Sequence, residues 1–179
     1  MLVVEISRLA VAAINPLLQR LDRRVDEVRK RPDVAHALIE LHRVIKSWAT
    51  AAEGLNQSYE AWVRCGAAGS FDDFDSYDSQ VAYAKFFRDL TGDTQFKPDA
   101  PPPSFEVLSI YAPELTSDLK MVTEHRLQRL DEFNDVMHEY SRNVTTLRPG
   151  DLAKTAADLK SAAESLRRFI VENFPIHSL

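Results

Sequence analysis

The sequence predicts an all-α protein, an elongated antiparallel bundle of four to five helices, and three observations lead to that fold class. Glycine is scarce, at 5 of 179 residues, whereas sheets and tight turns usually need more of it. Apolar residues recur in alternating steps of four and three, which is the seam of a helix packed lengthwise on another helix. Strong helix breakers lie between the periodic stretches. We therefore expect two long hairpins joined by a shorter helix and a Pro-rich loop, in one domain over residues 1–179.

The clearest seam predicts a helix over residues 33–65. Its steps keep their phase across Gly54, so one continuous helix about 50 Å long is expected. Glycine inside a helix costs about 1 kcal/mol relative to alanine. The nine seam positions are Val34, Leu38, Leu41, Ile45, Trp48, Ala52, Leu55, Tyr59 and Trp62.

The same rhythm precedes this helix, between residues 3 and 30. Asn15-Pro16 either caps a new helix or kinks one longer helix, and Arg31-Pro32 ends it. So short a connection predicts an antiparallel hairpin over residues 3–65. The upstream seam consists of Ile14, Leu18, Leu21, Val25 and Val28.

The middle of the chain predicts a linking helix over residues 70–91, followed by a Pro-rich loop over 93–103. A second hairpin is expected over residues 104–174. Ser104 should cap a short helix, and Pro113 either kinks it or starts the next helix. Arg126 is the one charge on a long seam that follows. After a tight turn at Arg148-Pro149-Gly150, Asp151 should cap the last helix.

The seam of the last helix has the same spacing as the others. Its members are Leu152, Ala156, Leu159, Ala163, Leu166 and Ile170.

The net charge, the cysteine count and the N-terminal sequence limit which kinds of partner and which cellular compartment we expect. The net charge of −5 disfavours a dedicated duplex-DNA binder, which usually carries a positive balance. A single cysteine, Cys65, has no partner for an internal disulfide and fits a reducing compartment. The apolar N-terminal stretch lacks a basic start and is interrupted by Glu5 and Arg8, so neither a secretory signal nor a membrane span is expected. We expect a soluble, cytoplasmic protein.

Two carboxylate-x-x-His pairs, Asp33 with His36 and Asp135 with His138, loosely resemble the metal-ligating pairs of di-metal helical bundles. Those sites use glutamate and need two further inward carboxylates from other helices. His36 falls two residues past a seam position and should face solvent. The seams contain no carboxylate. We therefore expect no metal site and no cofactor.

Arg31-x4-His36 has a spacing that resembles the Arg-x(4–6)-His motif of helical-bundle ribonucleases of the higher-eukaryote and prokaryote nucleotide-binding type. That chemistry needs a histidine as acid or base and an arginine to hold phosphate. In that family a polar residue usually follows the arginine, whereas Pro32 stands here, and the pair straddles a predicted turn. The resemblance implies an alternative function as a ribonuclease or RNA-binding protein that uses Arg31 and His36.

A cluster of basic residues precedes the second helix, and acidic residues are interspersed among them. Such a cluster can contact RNA or anionic lipid, but it is more often a solvated helix face with ion pairs along the helix. The basic cluster consists of Arg20, Arg23, Arg24, Arg29, Lys30 and Arg31.

Aromatic residues Phe71, Phe74 and Tyr77 are interleaved with four aspartates in the predicted linking helix. The pattern predicts an amphipathic helix whose aromatic residues join the core. If they are exposed instead, they are the best candidates for a partner-contact patch.

No phosphate loop, nucleophile elbow or zinc spacing occurs in the sequence. We therefore expect a non-enzymatic interaction, scaffold or regulatory bundle whose partner is a protein, either a second copy of the chain as a homo-oligomer or another subunit of a larger assembly. Nucleic-acid and membrane partners are disfavoured. The alternatives are the ribonuclease above and a membrane-active bundle that releases residues 2–14.

Overall fold

The computed structural model describes residues 2–64, 78, 80–82, 84–86, 103–113 and 150–175. Every regular element in this part of the chain is helical, and it holds no strand. The predicted all-α helical bundle is therefore confirmed. Several predictions fall outside the described residues: those on Arg126, on Asp135 and His138, on Phe71, Phe74 and Tyr77, and on Cys65.

The first helix, α1, spans Leu2–Asp22 and runs through Pro16 without a break. Of the two alternatives at Asn15-Pro16, a new helix is therefore wrong. The helix does not reach residue 30, however, because a single-turn helix, α2, forms separately over Val25–Val28.

The inward face of α1 differs slightly from the predicted seam. Ile14, Leu21 and Val28 are fully buried, as expected. Leu17 is also fully buried, whereas Leu18 is only half-buried against the core. The inward face of α1 therefore keeps the predicted phase and differs at one position, where Leu17 is inward in place of Leu18.

The long second helix, α3, spans Pro32–Arg64 and continues through Gly54. All nine of its predicted seam residues are buried, with exposed fractions between 0% and 9%. The periodicity of the sequence therefore located both the helix and its inward face.

The last helix, α4, spans Asp151–Asn173. Its predicted cap is wrong: Gly150 occupies the N-cap position with φ of 90°, and no side chain caps the helix. Asp151 is instead the first helical residue, where a carboxylate interacts favourably with the helix dipole.

The inward face of α4 is wider than its predicted seam. All six seam residues are buried, and Thr155, Ala162 and Phe169 are buried beside them. A helix with so broad a buried face can contact two neighbours at once.

Those two neighbours are α3 and α1. The most extensive helix contact in the described part is between α3 and α4, and α1 also packs on α4. Lys160 pairs with Glu53, while Asn173 bonds Arg29 near the start of α3, so α3 and α4 run antiparallel. Ser7 of α1 lies near Asp151, so α1 and α4 run parallel. The antiparallel direction of α1 and α3 agrees with the predicted hairpin, but each packs mainly on α4.

The far end of α3 is covered by aromatic side chains. Described residues between 78 and 86 are helical and lie within the predicted linking helix. Phe86 of this helix is fully buried. Its ring stacks on Trp62 at 5.6 Å between centroids and lies 5.5 Å from Tyr59. The described segment around Phe86 is therefore anchored on the C-terminal end of α3.

The predicted short helix at Ser104 is a 3-10 helix over Pro103–Ile110, which packs on α3. Leu108 and Tyr111 are buried there. Pro113 is helical and Ala112 is not, so Pro113 starts the next helix, as one of the two alternatives predicted.

Candidate functional site

Arg31, the phosphate-binding residue of the ribonuclease alternative, is held in an ion pair across the turn before α3. Its Nε donates to Oδ1 of Asp33 at 2.9 Å and its Nη2 donates to Oδ2 at 2.6 Å. These bonds lower the pKa of Asp33 and raise the pKa of Arg31. The guanidinium is thus already neutralised by a carboxylate, which a phosphate would have to displace.

His36, the other member of that pair, is exposed on α3, as its distance from the seam predicted. Asp33, its partner in the carboxylate-x-x-His pattern, is occupied by Arg31. Within the described ranges, no group of three or more His, Cys, Asp or Glu residues is arranged to hold a metal ion.

The basic cluster holds the α1–α2 connection onto the rest of the bundle. Arg20 Nη1 donates to the carbonyl oxygen of Tyr111 at 3.0 Å, and the Arg24 guanidinium lies 6.0 Å from the centre of the Tyr111 ring. Arg29 Nη2 donates to Oδ1 of Asn173 at 2.9 Å. With Arg31 on Asp33, four of the six cluster residues contact their own chain, which weakens the argument for an RNA or lipid surface.

A small cleft lies between the N-terminal halves of α1 and α4. It measures about 180 Å³ and has both cations and carboxylates on its walls, whereas ligand pockets are roughly 300–1,000 Å³. Thr155 is buried there, but its Oγ1 donates to the carbonyl oxygen of Asp151 at 2.8 Å. The cleft residues are Ser7, Arg8, Val11, Ala12, Asp151, Lys154, Thr155 and Asp158. Its size and balanced charge do not suit a catalytic centre.

His42 is the one buried histidine in the described part of the chain and lies between α3 and α4, and sequence reasoning missed it. The residue is 7% exposed, and its Nδ1 has no hydrogen-bond partner among the described residues. Burial, followed by the positive charges of Lys46 and Arg167, lowers the pKa of His42. The signal in the sequence was its position directly after the seam residue Leu41, where a broad helix interface can cover it.

The predicted aromatic contact patch lies outside the described residues. Val81, four residues after Tyr77 and seven after Phe74 in the sequence, is 50% exposed. In the helix predicted over residues 70–91, these spacings would place the three side chains on one face. Phe86 lies on a different face, because five residues turn a helix through about 140°.

Comparison of the chain with known protein families, with curated proteins and with solved structures finds no match. None of the described helices combines the length and the apolar character that crossing a bilayer requires.

Proposed function

We propose that this protein is a non-enzymatic interaction or scaffold bundle of the cytoplasm, which binds a protein partner through the outer face of its linking helix. The partner is a second copy of the chain or another subunit. The observation that carries the proposal is the contrast between Phe86, fully buried, and Val81, half exposed, on one helix. The proposed contact face extends from this exposed position to the predicted residues Phe71, Phe74 and Tyr77.

The arrangement of buried polar groups supports a non-catalytic role. In the described part, Ser7, His42, Ser58 and Thr155 are the buried polar side chains, and they are distributed over α1, α3 and α4. A catalytic centre needs several such groups converging on one reacting atom. The seam of α3 is covered within one chain, which supports a contact surface elsewhere, and we propose the linking helix for it.

The experiment is to remove the proposed contact face and measure association. The variant combines Phe74→Ser with Val81→Ser, and light scattering after size-exclusion chromatography gives the mass across a range of concentrations. The matched control is Val171→Ser, because Val171 is 52% exposed on α4, away from the linking helix. We expect the wild type and the control to associate with themselves or with a subunit from the native cell, and the double variant to lose that association.

A wild-type chain that is monomeric at all concentrations, and that binds no subunit from its native cell, would contradict the proposal. Association that survives in the double variant would contradict the placement on the linking helix. Circular dichroism of each variant establishes that the bundle is still folded.

The RNA alternative is weaker because Arg31 is paired with Asp33 and most of the basic cluster contacts its own chain. Its test is RNA degradation by the purified protein, lost in a His36→Ala variant. Degradation that is equal in both proteins would remove Arg31 and His36 from consideration. For the membrane alternative, liposome leakage that is equal with and without residues 2–14 would exclude the N-terminal stretch as the membrane-active segment.

A further inference from the structure

We propose that the interface between α3 and α4 is acid-sensitive and that protonation of His42 is the event that loosens it. The inference concerns the bundle itself and does not depend on the proposed function. Its basis is the position of one titratable ring inside the largest helix contact of the described structure.

The imidazole ring of His42 is buried, and one of its nitrogens has no hydrogen-bond partner in the described structure. His42 is 7% exposed, and its Nδ1 makes no hydrogen bond within the described residues. A neutral imidazole can leave Nδ1 without a proton, so that no hydrogen-bond donor is buried at that position. An imidazolium carries a full charge and must place a donor on Nδ1, where the described residues offer no acceptor, and burying that donor is costly.

Charged side chains lie near the ring. On α3 itself, Arg43 and Lys46 lie near His42, and on the facing helix α4 its charged neighbours are Arg167 and Glu164. Glu164 is the one acid among the four, and its Oε1 already accepts a bond from Arg167 at 3.2 Å. The described surroundings therefore repel a positive charge more than they attract it.

The 3-10 helix is the other described element with extensive contacts to α3, and it adds little to the charge around the His42 ring. Its one charged residue, Glu106, is exposed. Proton binding at His42 is thus opposed by burial and by three nearby cations, and the described elements supply no free carboxylate against it.

The sign of the effect follows from the direction of the shift. Because folding lowers the pKa of His42 below its ordinary value of 6.5, the unfolded chain binds a proton more readily than the folded chain. The contribution of neutral His42 to the free energy of unfolding is then fully present above pH 6.5. It is lost as the pH falls through the lower pKa of the folded state. Within that window the unfolding equilibrium constant rises by at most about tenfold per pH unit.

The test compares urea unfolding of the full chain at pH 7.5 and pH 5.5 for the wild type, His42→Gln and His36→Gln. His36 is the matched control, because it lies on the same helix but is exposed. We expect the wild type and His36→Gln to lose stability between the two pH values and His42→Gln to lose much less. An equal loss in all three proteins, or no loss in the wild type, would overturn the proposal.

A second measurement avoids any folding defect in the variant. NMR titration of the wild-type protein should give a midpoint for the His42 imidazole below its ordinary value of 6.5. Amide exchange of α4 should accelerate in the same pH range. A midpoint at or above the ordinary value would overturn the proposal, whatever the variants do.

Discussion

Gly54 lies in the middle of α3, and its replacement by alanine should stabilise the protein. The residue is exposed and helical, and a Cβ added there would meet nothing within 4 Å. Alanine is favoured over glycine in a helix by about 1 kcal/mol, because glycine loses more backbone entropy on folding. For a protein of this size, 1 kcal/mol raises Tm by roughly 2–4 °C.

The matched control is Gly150→Ala at the start of α4. A Cβ at Gly150 would also meet nothing within 4 Å, but its φ is +90°, a left-handed conformation that costs a residue with a side chain roughly 1–2 kcal/mol. Since both sites have open space, neither variant introduces a steric clash. We expect a higher Tm for Gly54→Ala and a lower Tm for Gly150→Ala by calorimetry. A lower or unchanged Tm for Gly54→Ala would mean that α3 is not a continuous helix at this point.

Three further predictions concern packing and charge. Ala156→Leu should destabilise the protein by about 1–3 kcal/mol in urea unfolding, because the residue is buried in the core and extra methylenes cause strain. The control, Ala157→Leu at the exposed neighbouring position, should change stability little. Equal effects of the two variants would contradict the assigned inner face of α4. Phe86→Ala should cost about 3–5 kcal/mol through its lost aromatic packing, and a cost under 1 kcal/mol would show that this ring is not an anchor. Arg31→Gln should raise the pKa of Asp33 towards its ordinary value, measured by NMR titration of the carboxyl group; an unchanged midpoint would contradict the ion pair.

The sequence predicted α3 and its buried face because a long, uninterrupted apolar period leaves little choice of inward side. The same reasoning located α4 and its seam. In both helices the signal is local, since burial of an amphipathic face depends mainly on which residues recur at helical spacing.

The break after Asp22 could not be predicted from local signals. No proline or glycine stands between α1 and α2, and arginine is a good helix former. The connection instead coincides with the contacts of Arg20 and Arg24 to Tyr111, a residue far along the chain. A tertiary contact of this kind is not visible in a sequence window.

The role of α4 as the shared neighbour of α1 and α3 was also beyond the sequence. A short connection predicts that two helices run antiparallel, but it does not say which third helix fills the space between them. His42 was missed for a related reason. Its burial depends on how broadly α4 covers α3, and the seam pattern alone gives only the centre of that interface.

The most direct test of the fold is a cross-link between α3 and α4. Glu53 and Lys160 form an ion pair between the two helices, so cysteines at these positions, with Cys65 replaced by serine, should react together with a short bifunctional maleimide. A cysteine pair at Arg43 and Lys160, displaced by about three turns along α3, is the control. We expect a rapid cross-link within a single chain at high dilution for the first pair only. A cross-link between chains, or one that forms equally in the control, would contradict the antiparallel packing of α3 on α4 within one chain.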